Sequence, residues 1–113
     1  MSERNWKFFL SDILMAISKI ENYVQNVDLE TFLQNEMIQD AVIRNLEIIG
    51  EATKQIPQNV KDKNQNIPWK QMAGLRDRLI HGYFVVDLNI VWHIVNKELP
   101  EVKAKLLKLL NSN

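Results

Sequence analysis

The 113-residue chain contains no cysteine. That excludes disulfide frameworks, thiolate-bound zinc, iron–sulfur clusters and thiol nucleophiles. Histidine is nearly as scarce: His81 and His93 are the only two, too few to build an imidazole metal cage. Three glycines and three prolines leave little punctuation for many short strands, so a few long helices are favoured over a sandwich or barrel. An excess of either charge is also missing, since 14 basic residues face 14 acidic ones for a formal net charge of zero. Proteins that grip nucleic acid through bulk electrostatics are far more basic; any RNA contact here must be local. Neutrality also withholds the repulsion that keeps monomers apart, which makes self-association easier. No apolar run approaches the roughly 20 residues needed to cross a bilayer. The first residues, with Glu3, Arg4 and Lys7, lack the apolar stretch of a secretory signal. The expectation is a cytoplasmic chain without a membrane association.

What is present is a globular composition, 46% hydrophobic and 25% charged, too apolar for a disordered chain. The length is that of one domain, expected over residues 1–113, and can bury roughly two thirds of its unfolded surface. Trp6, Phe9/Leu10, Ile13/Leu14, Ile17, Ile20 and Tyr23/Val24 recur every three or four residues, which predicts an amphipathic helix over about 6–24. Asp28 offers an N-cap for a turn through Glu30, Thr31 and Phe32. A second long helix is predicted over about 36–55, with Ile38, Ala41/Val42, Leu46 (or Asn45), Ile49, Ala52 and Ile56 on one side, and Pro57 stopping it. Residues 58–67 are polar and read as loop or a frayed turn. Pro68 suits the first position of a third helix, whose face is Trp69, Met72, Leu75/Arg76, Leu79/Ile80 and Tyr83, with Gly82 as its stop. Asp87 caps a fourth helix with Leu88, Val91/Trp92, Val95 and Leu99, and Pro100 either divides it from a last helix or begins that helix. The Tyr83-Phe84-Val85-Val86 run could pass for a strand, but it would have nothing to pair with. The predicted fold class is all-α, an antiparallel bundle of about five helices.

Titratable groups concentrate in Arg76-Asp77-Arg78-Leu79-Ile80-His81-Gly82-Tyr83. On an ideal helix Arg76 and Tyr83 lie within about 20° of one another, but Arg76 and His81 are about 140° apart. The latter two converge on one ligand only if the helix relaxes or two chains contribute. A histidine in a last turn feels the negative end of the helix dipole, which favours imidazolium. Imidazolium beside two guanidinium groups makes a small phosphate site that can also donate protons. The same spacing equally fits an ordinary helix end, with Arg76 and Arg78 solvated or paired with Asp77, His81 as a cap, and Tyr83 at the core edge.

Arg76, four residues, His81, one residue and Tyr83 together match the Arg-x4-His-x-Tyr motif of the HepT-like toxins, a branch of the HEPN superfamily of helical ribonucleases. The chain resembles that family over nearly its whole length. Ile48-Ile49-Gly50-Glu51-Ala52 is similar to the family's Ile-Gly-Glu-Ala stretch, Ile67-Pro68-Trp69 to the start of its motif helix, and Asp87 with Val91-Trp92 to the segment after the motif. One position departs: Asp77 stands where the family often has asparagine, and an anion there could either hold Arg76 or weaken phosphate binding. The resemblance implies a HEPN-like fold and a metal-independent endoribonuclease toxin with its site between two protomers of a homodimer. Arg76 and His81 would be the catalytic pair, with Asp77 and Arg78 supporting. Glu51 is a candidate partner for a motif arginine, or an ordinary surface carboxylate. The resemblance further implies that a minimal nucleotidyltransferase antitoxin silences the toxin by adding AMP to Tyr83, and that the substrate is an RNA such as tRNA or mRNA. No cofactor or metal is called for, since no Gly-rich phosphate loop or paired-carboxylate metal site appears. The alternative is a non-catalytic, nucleotide- or substrate-binding partner subunit of a nucleotidyltransferase. His93 reads as structural or exposed, Arg44 and Lys54 as a solvated face, and Trp69 and Trp92 as core anchors.

Overall fold

The computed structural model describes residues 5–81 and 85–112. Among the described residues the fold is all-α except for one two-residue ladder. Helix α1 (Asn5–Val24) buries Leu10, Ile13, Ala16, Ile17 and Ile20, a stripe at the i, i+3, i+7 spacing that faces one side of a helix. The leucine and each isoleucine contribute roughly 1.5–3 kcal/mol on burial. Asn26, at φ 62°, supplies the left-handed turn that ends α1, a conformation asparagine tolerates better than most residues. Helix α2 (Leu29–Gln34) starts where the Asp28 carboxylate accepts a hydrogen bond of 2.8 Å from the Thr31 amide. Helix α3 (Glu36–Lys54) is capped the same way by Asn35, which accepts from the Ile38 amide at 3.0 Å. Its buried stripe, with Val42, Leu46 and Ile49, packs chiefly on α1.

The chain has more helices than the five expected, for three reasons. The turn after Asp28 is a helix in its own right. The stretch read as loop forms helix α4 (Gln58–Lys63), where Val60, the one apolar residue between Pro57 and Ile67, is buried. The predicted third helix is split at Gly74 into α5 (Trp69–Ala73) and α6 (Leu75–Leu79). A glycine in mid-helix has the weakest hold on helical geometry after proline, and Gly74 adopts φ −92°, ψ 14°. Gly50 of α3 is buried against the end of α5: a Cβ there would stand 3.4 Å from the Met72 carbonyl.

The third helix also ends earlier than predicted. Ile80 is extended, at φ −107°, ψ 120°. Strand β1 (Ile80–His81) pairs antiparallel with β2 (Val85–Val86), with Ile80 opposite Val86 and His81 opposite Val85. Residues of the Tyr-Phe-Val-Val run therefore do find a strand partner, one that the helical reading had hidden. The β-branched residues Ile80, Val85 and Val86 suit a pleated ladder better than a helix. The expected stop at Gly82 lies outside the described residues.

Asp87 caps helix α7 (Leu88–His93) by accepting from the Asn89 and Ile90 amides at 3.1 and 3.2 Å. The helix neither stops nor restarts before Pro100. It widens into a π-helical segment (Ile94–Glu98) and continues as α8 (Leu99–Asn111). Proline lacks the N–H for the ladder and its ring crowds the carbonyl four residues back; a π turn just before it relieves both problems. One contiguous core gathers residues from every α-helix of the bundle. Phe32 and Trp92 meet in it at 5.1 Å between ring centroids, and the buried Trp69 donates its indole N–H to the Asn64 carbonyl at 3.0 Å. No described helix is long and apolar enough to cross a membrane.

Candidate functional site

Helix α6 carries the motif arginine. Leu75 and Leu79, one turn apart, are buried and fasten α6 to the core. With 100° per residue, Arg76 and Arg78 flank this stripe on opposite sides, and Asp77 points outermost. Their exposure agrees: Arg76 and Asp77 are exposed, and Arg78 is half-buried. The rotational separation of about 140° between Arg76 and His81 does not apply, because the chain leaves the helix at Leu79 and His81 lies in β1. The His81 imidazole and all of Tyr83 lie outside the described residues.

Arg78 is committed to a partner that the sequence did not reveal. Its Nη1 and Nη2 donate to Oε1 and Oε2 of Glu98, both at 2.8 Å. Charge-assisted, two-pronged bonds of this kind are among the stronger and more directional polar contacts in proteins. The hydrogen bonds from Arg78 hold the Glu98 carboxyl below the usual carboxylate range against the opposing effect of burial, with smaller help from the charges of Arg78 and His93. The same bonds push the Arg78 guanidinium up. His93 Nε2 lies 3.6 Å from Glu98 Oε2, with the histidine itself largely exposed. Arg78 thus pairs with Glu98 and not with Asp77, while about a third of the side chain stays exposed. Glu98 stands 20 residues along the chain at the end of a polar stretch, with no spacing signal to mark it.

Glu51 stands as a surface carboxylate. Its carboxylate lies exposed on α3 and receives Lys54 Nζ at 3.3 Å, one turn on; among the described residues it pairs with no motif arginine. Arg44 borders a shallow surface groove that also holds Asp12, Glu47 and Glu51, so this face of α3 has mixed charge. An open cleft of about 900 Å³ runs between α4–α5 and α8, with Arg78 and Glu98 in its wall. Lys61, Lys70 and Lys105 line it, but so do Asp62 and Glu101, and Lys105 is already bonded to the Asn66 carbonyl at 2.9 Å. Neither surface is a continuous phosphate track. Among the described residues no three carboxylate or imidazole groups gather as metal ligands would.

The exposed cation of the motif is therefore Arg76. No carboxylate among the described residues makes an ion pair with it; the neighbouring Asp77 does not fold back to do so.

Comparison with known proteins places this arrangement in a family. The family described as "Ribonuclease HepT-like" matches residues 13–109. A candidate RNase of Methanocaldococcus jannaschii is 46% identical over 110 residues, covering 97% of this chain and 95% of that protein. A protein of Thermococcus cleftensis named a probable ribonuclease HepT is 46% identical over 107 residues, covering 95% of this chain and 97% of that one. A candidate RNase of Caldanaerobacter subterraneus is 37% identical over 102 residues, or 90% and 91% of the two chains. No solved structure matches the chain significantly. With matches spanning α1 to α8, the chain belongs to the ribonuclease HepT-like family.

Proposed function

We propose that the protein is a metal-independent endoribonuclease, the toxin of a toxin–antitoxin pair, working in the cytoplasm as a homodimer on an RNA such as tRNA or mRNA. The observation that carries this reading is the exposure of Arg76 on α6, five residues before His81 and without an ion-pair partner among the described residues, while the neighbouring Arg78 is bonded to Glu98. A planar guanidinium fork suits the non-bridging oxygens of a phosphodiester. RNA supplies its own nucleophile, the ribose 2′-hydroxyl. A base takes its proton as the oxygen bonds to phosphorus, and an acid gives a proton to the departing 5′-oxygen. Charge accumulating on the phosphate is met by Arg76. The products are a 2′,3′-cyclic phosphate and a 5′-hydroxyl. Imidazole titrates close to neutral pH and serves as either base or acid, but one chain supplies one motif histidine. Two protomers facing each other supply both His81 side chains and both Arg76 side chains.

Tyr83 is the proposed control point. Its phenol oxygen attacks the α-phosphorus of ATP on a minimal nucleotidyltransferase antitoxin, pyrophosphate leaves, and the AMP now bonded to the ring puts a phosphate where RNA would bind. The exposed Asp77 carboxylate, next to Arg76, favours one competing reading. In it the domain binds a nucleotide or substrate for a nucleotidyltransferase and cuts nothing.

Cleavage assays on the purified, unmodified dimer separate the two. His81→Ala should reduce cleavage by about 10²–10⁴-fold with the melting temperature unchanged. Products should end in 2′,3′-cyclic phosphate, and EDTA should have no effect. Intact RNA under every condition, or cleavage that stops with EDTA, overturns the ribonuclease reading.

A further inference from the structure

Helix α6 is too short to hold its own orientation. Its five residues are little more than one turn, far below the length at which a helix is stable alone. Gly74 provides no side-chain cap at its start, and its end passes directly into extended backbone at Ile80. At its end the Asp87 amide donates to the Leu79 carbonyl at 3.0 Å, and along its length two side-chain attachments restrain different motions. The buried Leu75/Leu79 stripe resists withdrawal of α6 from the core, but apolar contact is non-directional and resists rolling only weakly. The Arg78–Glu98 bond, with both prongs at 2.8 Å, is planar and lies to one side of that stripe, so it opposes a roll. On the helical wheel Arg78 sits about 80° to one side of the leucine midline and Arg76 about 80° to the other. Any roll that stretches the Arg78–Glu98 bond therefore swings Arg76 too.

The other end of the bond is fixed by the π segment. Glu98 is its last residue, two positions before Pro100. A π turn inserts one residue into the helical register, which displaces Glu98 from where a regular helix begun at Leu88 would have carried it. We propose, resting on the ribonuclease reading above, that Glu98 is a positioning residue: through Arg78 it sets the roll of α6, and hence the direction in which Arg76 meets the scissile phosphate. Proline, π turn, carboxylate and guanidinium form one chain of restraint that ends at the exposed arginine.

A short oligoribonucleotide with a single cleavable linkage provides the test. Glu98→Gln removes the charge and one prong while keeping the shape. It should lower kcat by about tenfold or more, since displacements near 1 Å can cost up to about 100-fold, and leave KM within about threefold. In an Arg76→Ala background the same change should cost nothing further, because an already missing group cannot be misaimed. The charge-reversed pair, Arg78→Glu with Glu98→Arg, should recover most of the loss caused by either change alone. Wild-type kcat in folded Glu98→Gln, or an equal loss in both Arg76 backgrounds, overturns the proposal. If Glu98→Gln fails to fold, Glu98→Asp, which keeps the charge one methylene short, carries the same comparison. Guanidinium NMR gives a reading that needs no catalysis. The Arg76 signal should move with that of Arg78 when Glu98 is changed, and a stationary Arg76 signal overturns the proposal whether or not RNA is cut. A moving signal in a protein that cuts no RNA instead removes the ribonuclease reading and leaves the restraint standing.

Discussion

The α1–α3 pair and the segment from α5 through β2 are built on opposite principles. The first is two helices of 20 and 19 residues, each with a continuous buried stripe, so that the loss of one contact leaves many others in register. The second runs through two five-residue helices and a two-residue ladder, in which single bonds decide orientation. Redundancy gives α1 and α3 their stability. Its absence lets the motif segment turn sharply enough to carry Arg76 on a helix and His81 on a strand only five residues apart. Mutations in α1 and α3 should therefore act on stability, and those between α5 and β2 on activity.

The largest effect expected from breaking this contrast is in the scaffold. Leu46, fully buried on α3, when changed to Ala should cost about 2–5 kcal/mol in a urea titration. Cleavage per folded molecule should nevertheless stay near wild type, since the site lies on other elements. A selective loss of activity at unchanged stability would mean that α3 shapes the site directly.

A smaller and pH-dependent effect belongs to Arg78–Glu98. Glu98 has its folded pKa depressed, so between the folded and unfolded values the unfolded chain binds more protons. The stabilisation is therefore full above the ordinary carboxylate pKa and is lost as pH falls through the lowered folded value. The pair is about one third exposed; with solvent screening allowed for, its worth is on the order of 1 kcal/mol. The stability gap between wild type and Glu98→Gln, measured by denaturation from neutral to acid pH, should close in acid. A gap that widens toward acid would mean the pair is not held as a charged bond.

The smallest effect belongs to a salt bridge between the long helices. Lys103 also bonds a carboxylate, Glu21, at 2.9 and 3.2 Å, but as a point charge between two long helices already held by apolar packing. Lys103→Ala should change stability by no more than about 0.5 kcal/mol and leave cleavage unaltered. An effect as large as that of Glu98→Gln would show that the location of a salt bridge in this molecule matters less than its presence.

Much of the scaffold is legible in the chain's own residues. The spacing of Leu10, Ile13, Ile17 and Ile20, the stop at Pro57, and the caps at Asp28 and Asp87 are local signals. The structure uses each of them. The short α4 leaves no such signal because it has only Val60 to bury, and one apolar residue makes no period. The early end of α6 is hidden because Leu79, Ile80 and Tyr83 continue a helical pattern that β-pairing with Val85 and Val86 overrides. Of the candidate site, the string Arg76, His81 and Tyr83 is legible. The pairing of Arg78 with Glu98 and of Glu51 with Lys54 is not.

The residues alone were enough for the helical class, the two long amphipathic elements and the motif string Arg76, His81 and Tyr83. All of these depend on side-chain chemistry and on interactions within about one helical turn. Tertiary structure alone decided that α6 stops at Leu79, that the helix before Pro100 widens, and that Arg78 is held while Arg76 stays exposed. Those outcomes turn on strand pairing and on a carboxylate 20 residues away, and such contacts acquire a free energy only once the bundle has brought the elements together.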